Sequence, residues 1–201
     1  MNKDRILVFA IFLLLVFVPV ATALEPLVMD WDLSEFVEGE NEYSIVSTSS
    51  EGLTLYVKKP VYVPLWQELP KKSRYLSCFK LSSLVSDLQS GSCGLAISGR
   101  EYGPFLYVGP STAVISIGGP KGTRRLKTAK VQNFQLPVTI TLVYDTKSGQ
   151  VEGFLDDQKI IEANFREAPG VPAVTSISYV GIFASGQSCK ATFKTLDLEA
   201  K

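Results

Sequence analysis

The stretch from Leu136 to Leu198 constrains the fold more than any other part of the chain. Val138, Ile140, Leu142 and Tyr144 alternate with Thr139 and Thr141, so apolar side chains fall on one face of an extended segment and hydroxyls on the other, the pattern of a half-buried strand. Lys147-Ser148-Gly149 reverses the chain, Val151 and Leu155 lead into a second tight turn at Asp156-Asp157-Gln158, and Ile160 and Ile161 resume an extended run. After a Pro/Gly loop come Tyr179–Ala184 and Ala191–Leu198. Successive hairpins without helical spacing predict a β-sandwich being closed at its edge.

Upstream segments agree. Leu53, Leu55 and Val57 stand opposite Thr54, Tyr56 and Lys58, and prolines at 60 and 64 suit an edge strand or irregular crossing because proline donates nothing to a ladder. Arg74–Leu81 reads as a central strand, Ser82–Ser92 as a connecting loop with a helical turn, and Cys93–Ser98, Phe105–Val108 and Ala113–Ile117 as short strands. Phe193, Leu196 and Leu198 break strict alternation, as a bulged last strand does. No amphipathic helix, repeat or low-complexity linker interrupts the pattern, which predicts a single domain over residues 24–201.

Residues 1–23 read as a signal peptide. Lys3 and Arg5 precede an apolar run from Ile6 to Val18, and Ala21-Thr22-Ala23 places small residues where a signal peptidase inspects the chain. Cleavage after Ala23 and secretion follow; the alternative is an uncleaved membrane anchor, since the run extends towards the roughly 20 residues that span a bilayer. The chain carries 20 basic and 20 acidic residues, and removing the leader leaves that balance near neutral, so nucleic acid is not an expected partner. A membrane is expected only if the leader is retained. Histidine is absent, which removes Ser-His and Cys-His nucleophiles and the commonest transition-metal ligand.

The order of elements from Leu136 onward, together with the turn glycine Gly91, Gly94-Leu95-Ala96-Ile97, Arg100 and the aromatic strand ending at Val108, resembles the concanavalin A-like lectin/glucanase superfamily, including laminin G-like and 3-keto-disaccharide hydrolase-type modules. The resemblance implies an all-β, two-sheet antiparallel jelly-roll sandwich. Glucanases on this fold carry alternating acids on one strand, the pairing that retaining hydrolysis needs. No strand here has it: Glu35, Glu38, Glu40 and Glu42 surround Gly39 and Asn41 as a solvated turn, and Asp156-Asp157 is hairpin chemistry. The sequence therefore assigns no catalytic residue, metal ligand or cofactor.

Two other groups remain. Lys121, Arg124, Arg125, Lys127 and Lys130 form a basic stretch that reads either as an anion-binding patch, arginine being suited to bidentate contacts, or as a charged edge strand kept soluble. Arg100, Tyr102, Phe105 and Tyr107 lie on or beside strands that line the concave sheet in the resembling domains, and Trp66 is a further exposed-ring candidate. Aromatic faces stack on sugars while an arginine fixes hydroxyls, so Arg100, Tyr102, Tyr107 and Trp66 are the expected ligand-binding residues. Alternation divides them, however, because Phe105 and Tyr107 oppose Leu106 and Val108 and one of those faces is core.

Export permits a disulfide. In the resembling folds the last strand returns beside an early one, which implies a Cys93–Cys189 pair with Cys78 a buried free thiol; Cys78–Cys93 across a hairpin is the rival. The expected function is that of a secreted, non-catalytic β-sandwich recognising carbohydrate or a glycosylated surface. A structural or adhesive envelope domain binding protein, and a sugar-cleaving hydrolase-like enzyme, are the alternatives.

Overall fold

The computed structural model describes residues 26–201 apart from residues 34, 35, 100, 121 and 133, so the export segment expected over 1–23 lies outside the described residues. Two antiparallel sheets face each other. The ten-stranded sheet runs β13 (Gln158–Asn164), β12 (Gln150–Leu155), β11 (Val138–Asp145), β6 (Cys78–Gln89), β15 (Cys189–Phe193), β4 (Gly52–Val57), β3 (Ser44–Ser49) and β2 (Gly39–Glu40). Beside β6, β16 (Asp197–Ala200) continues the path of β15 and pairs in turn with β1 (Leu27–Asp30). The six-stranded sheet runs β10 (Gly122–Lys130), β9 (Thr112–Gly119), β8 (Gly103–Val108), β7 (Ser92–Ser98), β14 (Tyr179–Ser185) and β5 (Tyr62–Glu68). This is the expected jelly-roll sandwich.

The alternating residues of β11 fill the core as the pattern predicts. Val138, Ile140, Leu142 and Tyr144 are buried there with Leu53, Leu55 and Val57, facing Leu95, Ile97, Leu106, Ile115 and Ile182 of the other sheet. Each such aliphatic contributes about 1.5–3 kcal/mol on burial. The sheets approach closely at Gly153, where an added Cβ would lie 2.7 Å from a Leu106 methyl.

Two expectations are corrected. Lys71–Tyr75 is a short 3-10 turn and β6 runs unbroken for 12 residues from Cys78 through the segment expected to be a loop. Serines of low strand propensity suggested that loop, but neighbouring strands satisfy their hydroxyls: Ser83 donates to the Thr195 carbonyl at 2.5 Å and Ser82 shares a bond with Thr141 at 3.0 Å. The last strand is interrupted, as expected, but by a gap between β15 and β16 where Lys194 N donates to the Leu84 carbonyl at 2.8 Å and Leu84 N to Thr195 Oγ1 at 3.2 Å.

The cysteine expectation also changes. The chain crosses between sheets at Ser90-Gly91 and again at Gly186–Ser188, and these turns lie side by side. They bring the starts of β7 and β15 to one end of the sandwich, yet Cys93 and Cys189 are not linked; all three cysteines are free. The Cys189 thiol points instead to the Ser92 carbonyl, 3.5 Å away, while Cys93 is wholly buried in the core. Burial raises the pKa of both thiols.

Candidate functional site

The outer faces of the two sheets differ in chemistry. Across the ten-stranded sheet, Thr54 meets Thr192, Ser82 meets Thr141, Lys80 pairs with Glu199, Lys190 with Asp87, and Lys159 with both Glu152 and Glu162. That face is largely a lattice of hydroxyl pairs and ion pairs, with Thr141 and Thr192 buried within it and Tyr56, Val143 and Phe154 also turned outward. The outer face of the six-stranded sheet is paved with aromatic rings.

Strand alternation sorts those rings. β8 sends Leu106 and Val108 into the core, leaving Phe105 and Tyr107 outward; β14 buries Val180, Ile182 and Ala184, leaving Tyr179 and Phe183 outward; β5 turns Val63 and Leu65 inward and Tyr62 and Trp66 outward. The strand between them, β7, presents only Gly94 and Ala96 to this middle region. Small residues there leave room for the large rings of the neighbouring strands. A Cβ on Gly94 would sit 2.5 Å from the Phe183 ring, one on Gly181 would sit 3.0 Å from the Trp66 indole, and one on Gly118 of β9 would collide with the Phe105 ring.

The rings also hold one another. Tyr107 packs on Phe183 with centroids 4.6 Å apart, Tyr62 on Phe105 at 5.7 Å and Trp66 on Phe105 at 5.8 Å. Such pairs contribute about 0.5–1.5 kcal/mol beyond area burial. Ala96, Phe105 and Phe183 form a buried cluster separate from the main core, with Tyr107 half-buried against it. Tyr62, Trp66 and Tyr179 stay 36–38% exposed at its margin, which leaves apolar ring faces available to a ligand.

Beside this cluster lies a depression of about 430 Å3, with Tyr62 and Tyr107 as its aromatic walls and hydroxyls from Ser92, Thr112, Ser116, Thr123 and Ser185 around them. Burial pushes the Tyr107 phenol up to about 12, although a hydrogen bond with Thr123 opposes the shift, and burial likewise raises Tyr62. Both phenols are therefore neutral donors and acceptors at ordinary pH. Arg125 is the one charged residue of the lining, and no carboxylate joins it. Among the described residues no group of three His, Cys, Asp or Glu side chains is placed to hold a metal ion.

A second depression, about 500 Å3, lies where β10 approaches β13, but no aromatic ring lines it. There Arg124 donates to the Pro169 carbonyl at 3.1 Å, and Lys127 acts electrostatically on Glu162. Glu162 itself is ion-paired with Lys159 at 2.6 Å.

Of the residues expected from the sequence, Tyr107 lines the first depression and Trp66 lies on the same face. Tyr102 is half-buried against the main core, its ring filling the space over Gly119, and so stands apart from the paved face. Arg100 falls outside the described residues. The sequence reading did not single out Tyr62, Phe183 or Tyr179, and Arg125 entered it only as part of the basic stretch from 121 to 130. A usable signal was present in Tyr179-Val-Gly-Ile-Phe-Ala-Ser, where the outward positions alternate ring, glycine, ring and hydroxyl.

No protein-family model and no curated protein matches the chain. Solved structures match it in fold. A Bacillus subtilis protein of unknown function with a galectin-like fold superposes with a TM-score of 0.61 at 11% identity, covering 88% of this chain and 90% of its own. Crh5 transglycosylase in complex with NAG gives 0.60 at 10% identity over 86% and 83%, and the Bacillus subtilis carbohydrate-binding module CBM66 gives 0.53 at 13% over 76% and 89%. At such identities the likeness is one of fold: a two-sheet antiparallel jelly-roll sandwich.

Proposed function

We propose that the chain is a non-catalytic carbohydrate-binding β-sandwich acting outside the cell, and that its sugar platform is the outer face of the six-stranded sheet. One observation carries the reading. Rings packed largely edge to face over Gly94, Gly118 and Gly181 leave Tyr62, Trp66 and Tyr179 part-exposed as an apolar surface, and neutral hydroxyls stand beside it at the Tyr62–Tyr107 depression. Sugars present the complement, an apolar ring face edged by hydroxyl groups. The name of CBM66, a carbohydrate-binding module, supports the sugar part of this reading, as does the resemblance to laminin G-like modules; that of Crh5, a transglycosylase, accords with a sugar partner and equally with the enzyme alternative. Export with a mature start at Leu24 belongs to the same proposal.

Enzymatic cleavage of a glycosidic bond would ordinarily require two carboxylates about 5–9.5 Å apart. The depression is lined by none, and Glu68, on the same face at the end of β5, is held by Arg74 at 2.5 Å. Glycan-array binding by residues 24–201, measured alongside reducing-sugar release from mixed polysaccharides, tests the proposal. Binding without release is expected. Release of sugar would favour the enzyme, and silence in both assays would favour a protein-binding envelope domain.

A further inference from the structure

Resting on that reading, we infer that the bound carbohydrate is anionic, a glycan bearing carboxylate or sulfate groups that meet the β10 side of the platform. The argument begins with a bulge. β10 pairs with β9 through Thr123↔Gly118, Arg124↔Ile117 and Arg125↔Ser116, slips one residue at Leu126, and resumes with Lys127↔Ile115, Thr128↔Val114 and Lys130↔Thr112. Directly opposed residues of an antiparallel pair share a face. Ile115 and Ile117 are core residues, whereas Thr112, Val114 and Ser116 line the depression. The bulge therefore divides the basic strand: Arg124 and Lys127 fall on the face of Ile117 and Ile115, and Arg125 and Lys130 on the face of Ser116 and Thr112, where Arg125 borders both the seam depression and the aromatic platform.

The two sets have different partners. Arg124 is bonded to the Pro169 carbonyl and Lys127 faces Glu162. Like Lys127, neither Arg125 nor Lys130 has a side-chain hydrogen bond or ion pair among the described residues, and unlike Lys127 they have no carboxylate among them acting on their charge. The carboxylate that the platform's strands do carry, Glu68, sits on the opposite edge strand and is neutralised by Arg74. The platform thus has aromatic rings at its centre, hydroxyls beside them, and uncompensated positive charge along one side only. A neutral sugar would leave that charge unanswered; a uronate or sulfate ester stacked on Tyr107 would reach a guanidinium suited to bidentate oxyanion contacts. Because basic and acidic residues balance over the whole chain at 20 each, the selectivity would arise locally rather than from net charge.

The adjacent arginines supply the control. Dextran sulfate, polygalacturonate and uncharged dextran are titrated against residues 24–201 and against the R125A, R125Q and R124A variants, each checked for an unchanged thermal midpoint. Expected is binding of at least one anionic polymer about tenfold tighter than dextran, lost with R125A and R125Q, and kept within about twofold by R124A although that variant removes the same charge. Sulfate esters and uronates are told apart by which polymer binds, and inorganic sulfate at matched ionic strength is expected not to displace it. Equal losses in R124A and R125A would mean unspecific surface electrostatics and overturn the inference, as would displacement by inorganic sulfate. Neutral glycans bound without regard to Arg125 would overturn the anionic class while leaving the carbohydrate reading intact. No binding of any polymer, together with an empty glycan array, would remove the carbohydrate reading itself.

Discussion

Gly118 and Phe105 face each other across β8 and β9, and the packing of the aromatic face rests on pairs of this kind. The Phe105 ring lies where a Gly118 side chain would be and is itself only 3% exposed beneath Tyr62 and Trp66. Gly118→Ala should lower stability by about 1–3 kcal/mol through overpacking and tilt the rings above it, weakening glycan binding. Gly39→Ala, with nothing within 4 Å of the added carbon, should change neither. Thermal unfolding of the two variants reads the difference, and equal midpoints would show that the ring does not occupy that space. Tyrosine ionisation gives a second residue-scale expectation. Burial raises Tyr107 and Tyr144 to about 12 in the folded chain, against about 10 when unfolded. Their neutral phenols support the fold fully below pH 10, and that support is lost as pH climbs from 10 through 12. Thermal midpoints should therefore be steady from pH 7 to 9 and fall steeply above 10, less steeply in Tyr107→Phe; an identical profile in that variant would contradict the assignment.

At the scale of elements, the two cross-sheet turns and the divided strand β10 do most to position the surface. Ser90-Gly91 and Gly186–Ser188 carry the chain from one sheet to the other at neighbouring points, with Gly91 and Gly186 at φ +64 and +114. They set Ser92 and Ser185 side by side on the platform. The same end holds Cys93 and Cys189 as free, buried thiols. Ellman titration of the native protein should accordingly find at most the half-buried Cys78, and denaturation should release all three; a count of one after denaturation would restore a disulfide.

Strand alternation made β11 and β4 legible from the sequence, because their inward residues are uniformly apolar and their outward residues mostly polar, Val143 being the exception in β11. It failed for β6, whose serines bond to residues more than fifty positions away. The platform was half legible for a related reason. Phe105 and Tyr107 were seen to share a face, but nothing local says which face of a strand is core when both are apolar. That choice is made by Leu106 meeting Gly153 in the opposite sheet. Likewise the basic run from 124 to 130 reads as one patch until the bulge at Leu126 sends its cations to two places.

For the whole molecule, the decisive property is that its two outer faces are unlike. The ten-stranded sheet ends in hydroxyl pairs and surface ion pairs, contacts that typically contribute no more than about 1 kcal/mol each. The six-stranded sheet instead turns outward a continuous group of rings that its own core does not need, since the main core packs on the opposite side of the same strands. An exposed apolar surface edged by polar groups marks an interaction site. The most direct test compares one face with the other. A glycan-array hit is titrated against Tyr62→Ala/Trp66→Ala on the six-stranded sheet and against Tyr56→Ala on the ten-stranded sheet, all three positions being comparably exposed at 36–38%. The platform variant should lose at least about tenfold in affinity, about 1.4 kcal/mol, with its fold retained, and Tyr56→Ala should bind as the unaltered protein does; loss at Tyr56 with retention in the double variant would place the ligand on the other sheet and contradict the account.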